Sequence, residues 1–190
     1  MDGACRLLLV LAIGWMAAGF GGSDVRAAEA ATEVVRESGG HEYRVGPVPD
    51  WVVERRVPKR WPGDTSKGVD GAWRYWLVDA QDDYRGDVAA FYFDSVAEAL
   101  NANALDQVAR TSIDFNPVFQ SLVLHAIDVE RDGASSDRLA SASITLARRE
   151  TAFDTSAQAN GDVSALIVLD DVRPGDRVRF RYSIRGSNPI

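Results

Sequence analysis

The segment RVRFRYSIR, residues 177–185, alternates without interruption between a polar residue and a large apolar one. Successive side chains of a β-strand point to opposite faces of its sheet, so this period of two predicts a strand with one apolar and one basic face. The apolar face consists of Val178, Phe180, Tyr182 and Ile184. Because such a face needs a covering layer, the chain is restricted to folds in which a sheet packs against a second layer.

Other strand-like segments are separated along the chain by turn-forming residues. They are residues 72–81, 87–99, 109–117, 121–133, 141–150 and 164–172. Residues 98–110 suit either a strand or a helix, whereas the Pro174-Gly175 pair predicts a type II turn and a hairpin that leads into the last strand. The sequence therefore predicts an all-β fold, an antiparallel β-sandwich of the immunoglobulin-like or Greek-key type with little helix.

Residues 121–133, SLVLHAIDVERDG, are apolar on both faces and predict a central strand that ends at an Asp132-Gly133 turn. By alternation, one face holds Leu122, Leu124 and Ala126, and the other holds Val123, His125, Ile127 and Val129. A catalytic histidine needs a nucleophile and a group that orients its ring. No serine lies in a G-x-S-x-G context, so His125 is interpreted as a core residue held by a hydrogen bond.

The N-terminal sequence predicts export. Arg6 precedes a short apolar run, and the small residues that follow allow cleavage after Ala27 or as late as Ala30. We interpret residues 1–27 as a signal peptide and residues 28–40 as a flexible lead-in, which places the protein in the periplasm or cell envelope without a membrane span in the mature chain. Cleavage removes Cys5, the only cysteine, and with it disulfides, thiolate metal sites and a cysteine nucleophile.

The charged residues point to no metal or cofactor. His41 and His125 lack zinc-ligand spacing, and the acidic runs at residues 79–83, 128–132 and 170–171 do not follow the D-x-D-x-D-G pattern of a calcium loop. Calcium at residues 79–83 is the weaker alternative to a solvated turn. A net charge of −7 disfavours nucleic acid as a partner. We therefore expect no catalytic residue, no cofactor and no metal site.

The basic face of the last strand allows two interpretations. Arg177, Arg179, Arg181 and Arg185 could bind an anionic polymer or a partner, because guanidinium groups match carboxylate and phosphate geometry. The simpler interpretation is a solvated face whose arginines pair with acids on neighbouring strands.

Several stretches resemble a known family: YRVGPVPDWV, then FNPVFQSLVLHAIDVERDG, LARRE and LIVLDDVRPGDRVRFRYSIRGSNP. Residues 41–190 resemble the bacterial domain of unknown function 3857, which precedes transglutaminase-like domains of the papain type. The resemblance implies a β-sandwich module whose neighbour carries Cys-His-Asp chemistry. Since relatives continue past the position of Ile190, we expect the catalytic domain to be absent and the sandwich to be C-terminally incomplete.

The sequence thus favours an exported, non-catalytic module that accompanies and positions a transglutaminase- or protease-like domain, either downstream or in trans. The alternatives are the N-terminal part of an enzyme that acts on protein or peptide amides, and a separate module that binds envelope glycan or peptide. The long C-terminal strand further predicts self-association, because an unprotected edge strand recruits another chain.

Overall fold

The computed structural model describes residues 32–60, 72–148 and 161–186. The chain divides into Met1–Ala30 and Ala31–Ile190, and the described residues belong to the second unit. The predicted signal peptide lies outside the described residues. Within the described ranges, no helix is long and apolar enough to cross a membrane.

In these described ranges, ten strands form two sheets. The larger sheet contains β1 (Val34–Ser38), β2 (His41–Val45), β3 (Trp73–Asp83), β4 (Ala90–Ala99), β6 (Ser121–Arg131), β7 (Ala134–Asp137) and β10 (Arg177–Arg185). The smaller contains β5 (Arg110–Phe115), β8 (Ser143–Arg148) and β9 (Val163–Val168). A 3-10 turn, Ala102–Ala104, and the short helix α1, Leu105–Val108, connect β4 to β5 and resolve the ambiguity at residues 98–110 in favour of a helical connection.

The strand order in the large sheet is β1-β2-β6-β10-β4-β3, with β7 also beside β6, and the order in the small sheet is β5-β9-β8. All pairs are antiparallel except β2 with β6. One continuous core joins the two sheets; its largest fully buried side chains include Leu122, Leu124, Ile127, Leu146 and Ile167. The predicted all-β antiparallel sandwich with little helix is confirmed.

The C-terminal strand lies in the middle of the large sheet. Strand β10 pairs along its whole length with β6 on one side and with β4 on the other. The predicted turn is present, since Gly175 has φ 91° and Asp176 N–H donates to Arg173 O at 3.0 Å. It joins β9 to β10 across the two sheets, so the predicted hairpin was wrong. The premise that β10 offers an exposed edge for self-association was also wrong.

A β-bulge in β6 changes the predicted faces of the central strand. Arg181 lies opposite Ala126 and Tyr182 opposite Leu124, which leaves His125 as the extra residue. An extra residue in one strand reverses the alternation on either side of it. Leu122 and Leu124 therefore share the core with Ile127 and Val129, and the prediction that His125 lies on the face of Ile127 and Val129 was wrong. The Asp132-Gly133 turn is confirmed by φ values of 53° and 79°.

The predicted lead-in, residues 28–40, is partly a hairpin. Strands β1 and β2 pair antiparallel across Gly39 and Gly40, and Ser38 Oγ donates to Ile144 O at 2.9 Å. The lead-in prediction was therefore wrong for residues 34–40, while residues 28–31 lie outside the described ranges. This hairpin joins the large sheet through the parallel pairing of β2 with β6, a non-local contact that a local polar composition does not reveal.

Residues 46–60, here named the covering segment, cross the outer face of the large sheet without forming a strand. Pro47, Pro49 and Pro58 cannot donate to a ladder, which explains the irregular backbone. Trp51 packs edge-on against Tyr92 of β4 at a centroid distance of 6.4 Å. Trp61 lies outside the described residues. The large sheet is thus covered by the small sheet on one face and by this segment on the other.

Candidate functional site

The arginine row of β10 lies on the outer face, and each member contacts an acid of the chain itself. Arg177 Nη1 donates to Glu130 at 3.3 Å and Arg181 Nη1 to Glu54 at 3.2 Å. Arg185 pairs with Glu33. Pairing with acids on neighbouring strands holds for Arg177 and Arg179, whereas Arg181 and Arg185 pair with acids outside the strands. The face is also not open to solvent as that interpretation supposed, because the covering segment lies over it. Binding of an external anion by the row stays a prediction.

The strongest pair joins Arg179 to Asp94, a fully buried acid in the middle of strand β4. Two parallel hydrogen bonds connect them, Nε to Oδ1 at 2.8 Å and Nη2 to Oδ2 at 2.5 Å. The Asp94 side chain is almost fully buried, and Arg181 Nε lies 3.7 Å from its Oδ2. Burial lowers the pKa of Arg179, but the hydrogen bonds and charge of Asp94 outweigh this effect, so the net pKa is raised. The pair thus places the Arg179 guanidinium in direct two-bond contact with the buried Asp94 carboxyl group.

A second charged group lies at the other end of the row around Trp76. The guanidinium carbon of Arg177 lies 3.5 Å from the ring centroid, within the range of a cation–π contact. Trp76 Nε1 donates to Glu98 at 2.6 Å, and Arg74 Nε donates to the same carboxylate at 2.8 Å. Trp76 is the extra residue of a β-bulge between Tyr75 and Leu77 of β3, and this bulge turns the Trp76 ring to the outer face.

The covering segment is attached to this face by specific contacts. The backbone N–H and C=O of Val53 bond the side-chain amide of Gln81 at 2.9 and 2.8 Å. Glu54 pairs with Arg181, and Arg55 lies 3.9 Å from Asp79. Beneath it, burial, followed by the charge of Asp94, raises the pKa of Tyr92 to about 12. The space left beside Arg179 is about 80 Å³, which holds a few water molecules but no sugar or peptide.

His125 holds the start of the covering segment to the sheet. Its Nδ1 lies 3.0 Å from Gly46 O, which can only accept, so we assign the proton to Nδ1. Nε2, at 2.7 Å, then accepts from the hydroxyl of Ser183, a fully buried residue of β10. Burial lowers the pKa of His125, and Arg185 lowers it further, while the bond to Gly46 O and the charge of Glu33 act the other way. Both ring nitrogens are engaged within the fold.

The stability of the protein is expected to fall as pH drops below about 6.5, the ordinary pKa of histidine. Because the pKa of folded His125 is lowered, the unfolded chain takes up the proton first, and stability is lost between that value and the lower folded pKa. Thermal melts from pH 8 to pH 5 measure this loss. His125→Gln should abolish this loss of stability at low pH, whereas His41→Gln should retain it. An unchanged dependence of stability on pH in His125→Gln would show that His125 is not its cause.

Of the other predicted acids, Asp79 and Asp128 lie on this face, the first beside Arg55 and the second opposite Arg179. The run at residues 79–83 belongs to β3, not to a turn. Asp171 and Asp176 both bind Arg131, and the hydrogen bond from Arg131 lowers the pKa of Asp176. Among the described residues, no group of three or more His, Cys, Asp or Glu side chains could hold a metal ion.

Sequence reasoning missed Asp94, Trp76 and Glu54, which complete the charged face. Asp94 had a usable signal, since a lone carboxylate in the apolar run AFYFDSVA must find a cationic partner if the strand is buried. Trp76 and Glu54 had none, because their positions depend on a bulge and on the path of the covering segment. What this arrangement does chemically is neutralise charge and fix the segment to the sheet.

A solved structure of another protein is similar in fold. The crystal structure of a putative protease from Parabacteroides distasonis ATCC 8503 superimposes with a TM-score of 0.53 at 18% identity, over 61% of this chain and 23% of that chain. The CBM3a-L domain with flanking linkers from scaffoldin CipA of the Clostridium thermocellum cellulosome has a TM-score of 0.35 at 10% identity, over 63% of this chain and 70% of that chain. A search of curated proteins found no significant match.

The chain spans less than a quarter of the Parabacteroides protein, so that likeness concerns the fold alone. The profile of the family described as a domain of unknown function with solved structure matches residues 89–190. This range holds β4 to β10 and therefore most of the sandwich, including Asp94, His125 and the arginine row. The resemblance inferred from the sequence is confirmed over these residues, and the chain belongs to the DUF3857 family.

Proposed function

We propose that this chain is an exported, non-catalytic β-sandwich module that accompanies and positions a transglutaminase- or protease-like domain. The proposal rests on one observation: polar groups on the outer face of the large sheet are hydrogen-bonded to other groups of the chain. Both ring nitrogens of His125 are hydrogen-bonded within the fold, and the hydroxyl group that bonds Nε2 belongs to the fully buried Ser183. A general base must reach the proton that it removes, and these groups face the inside of the fold.

The charged row supports a structural role in the same way. Hydrogen bonds to its own acids occupy the guanidinium groups of β10, and the covering segment lies over them. The similar fold makes up 23% of the length of a putative protease, which supports the proposal that this module forms part of a larger catalytic protein. In this proposal the sandwich supplies a rigid body, and the chemistry belongs to the domain that it accompanies.

Two assays on the exported chain test catalytic silence. Amine incorporation into casein and cleavage of peptide substrates should both stay at background, with a papain-type enzyme as the positive control. His125→Ala should change stability and leave these baselines unchanged. Turnover that disappears in a folded His125→Ala variant would overturn the proposal.

The positioning role needs its own measurement. Cross-linking of the tagged chain in the cells that export it, followed by mass spectrometry, should identify a protein with a transglutaminase- or protease-like catalytic domain. Cross-links confined to glycan-binding or unrelated proteins would contradict the proposed partner.

A further inference from the structure

Within residues 32–60, 72–148 and 161–186, an apolar patch on the core-side face of the large sheet is only partly covered. Its members, here named the aromatic floor, are Tyr75, Val78, Phe91, Phe93 and Tyr182. The register places them on the same side as the buried core, since Val78 lies opposite Ser95, and Phe93 lies opposite both Ala80 and Tyr182. Yet Tyr75 is 47% and Val78 55% exposed. The large sheet is wider than the three-stranded sheet that covers it, and the floor is the part left over.

Three of the four rings of the floor, those of Phe91, Phe93 and Tyr182, form a continuous surface. The centroids of Phe93 and Tyr182 are 5.4 Å apart, and Phe91 lies 6.3 Å from each of them. These rings are half-buried and continue into the exposed side chains of Val78 and Tyr75, and an apolar patch of this kind on a sheet face is typical of an interaction surface.

Strand β5 borders the floor. At the opposite edge of the small sheet, β8 contacts β1 through the Ser38–Ile144 hydrogen bond, so β5 lies toward β4 and β3. The charge of Asp114 in β5 supports this placement, because it raises the pKa of Tyr182 in addition to the larger effect of burial. Within the described ranges, β5 pairs with β9 alone.

The backbone of β5 can accept a further strand at its outer edge. Leu169 N–H donates to Ala109 O at 2.8 Å, in register with the β5–β9 ladder. In an antiparallel ladder, alternate residues turn their N–H and C=O groups away from the partner, and this alternation turns those of Ser112 to the outer edge. A strand added there would extend the small sheet by about 4.8 Å, directly over the aromatic floor.

We propose that β5 and the aromatic floor bind an extended strand of a separate polypeptide, with apolar side chains at alternate positions and lysine or arginine between them. Main-chain bonds to β5 hold the strand, and its apolar side chains cover the floor, as in other cases of strand addition. This inference does not depend on the proposed function.

Charge decides the kind of occupant. Asp82 on β3 and Asp114 on β5 lie on the strands that border the floor, and the chain has a net charge of −7. A second copy would bring the same acidic strands to the contact, so like charges oppose self-association. The lysines of an added strand alternate with the residues that face the floor, so they point to the outer face of the small sheet, where Asp114 of β5 lies.

The probe is a fluorescein-labelled ten-residue peptide, KVKFKVKFKV, with fluorescence anisotropy as the readout on the full chain. Val78→Lys places a charge on the floor at an exposed position and should weaken binding at least about tenfold, the equivalent of one charged-group contact. Ser112→Pro removes an edge N–H and should weaken binding similarly. Val53→Lys, the same change on the opposite face, should leave binding unchanged, and circular dichroism verifies that each variant is folded.

The other arms identify the occupant. A peptide with glutamate at every lysine position should bind at least about tenfold more weakly, as should one with proline at its centre, which cannot complete the ladder. Absence of binding, or equal binding by Val78→Lys and the unmodified chain, overturns the proposal. Sedimentation that shows a dimer abolished by Val78→Lys also overturns it, because the floor would then be covered by a second copy.

Discussion

Replacing Arg179 with methionine is expected to lower the free energy of unfolding by about 3–5 kcal/mol, the usual cost of removing one partner of a buried ion pair. Asp94 is 1% exposed and receives two of its hydrogen bonds from Arg179. Without that guanidinium, a buried carboxylate keeps only the more distant Arg181 at 3.7 Å. Urea denaturation at pH 7 measures the loss, which is a large part of the total stability of an ordinary domain.

Two controls separate burial from charge as such. Arg110→Met removes an exposed i,i+4 pair with Asp106 and should cost only about 0.3–0.5 kcal/mol. The double variant Arg179→Met with Asp94→Leu should recover much of the loss, because no unpaired charge remains buried. A loss below about 1 kcal/mol for Arg179→Met, the range of exposed pairs, would show that water reaches Asp94.

Gly39→Ala is expected to destabilise the β1–β2 hairpin far more than Gly40→Ala. Both glycines have positive φ, 58° and 76°, and an alanine in this region costs about 1–2 kcal/mol. Only at Gly39 would the added Cβ meet the backbone, 2.0 Å from Leu146 O, whereas nothing lies within 4 Å at Gly40. Forcing an atom into that contact adds about 1–3 kcal/mol.

Hydrogen exchange localises this effect. The amides of β1 and β2 should exchange faster in Gly39→Ala, since the hairpin must move away from β8, while those of β4 and β10 should stay protected. Equal melting temperatures for the two alanine variants would mean that the hairpin does not press on β8 at Gly39.

The all-β class, most strands and the turns at Asp132-Gly133 and Pro174-Gly175 could be predicted because their causes are local. Alternation over residues 177–185 requires two chemically different faces in any sheet, and the conformations of Gly133 and Gly175 depend on their own backbones. The acids of the charged face were predicted only as a class. Which acid meets which arginine depends on register, so Asp94 could have been suspected but not matched with Arg179.

The order of the strands depends on contacts between residues far apart in the chain, which local pattern does not encode. Turn chemistry at Pro174-Gly175 predicts a reversal, but not that β10 leaves the sheet of β9 and enters between β6 and β4. One extra residue at His125 reverses the faces of a central strand, and alternation cannot reveal it from one sequence. The residues of β10 determine that it has an apolar and a basic face; only tertiary packing determines that the basic face is covered and that part of the apolar side stays open.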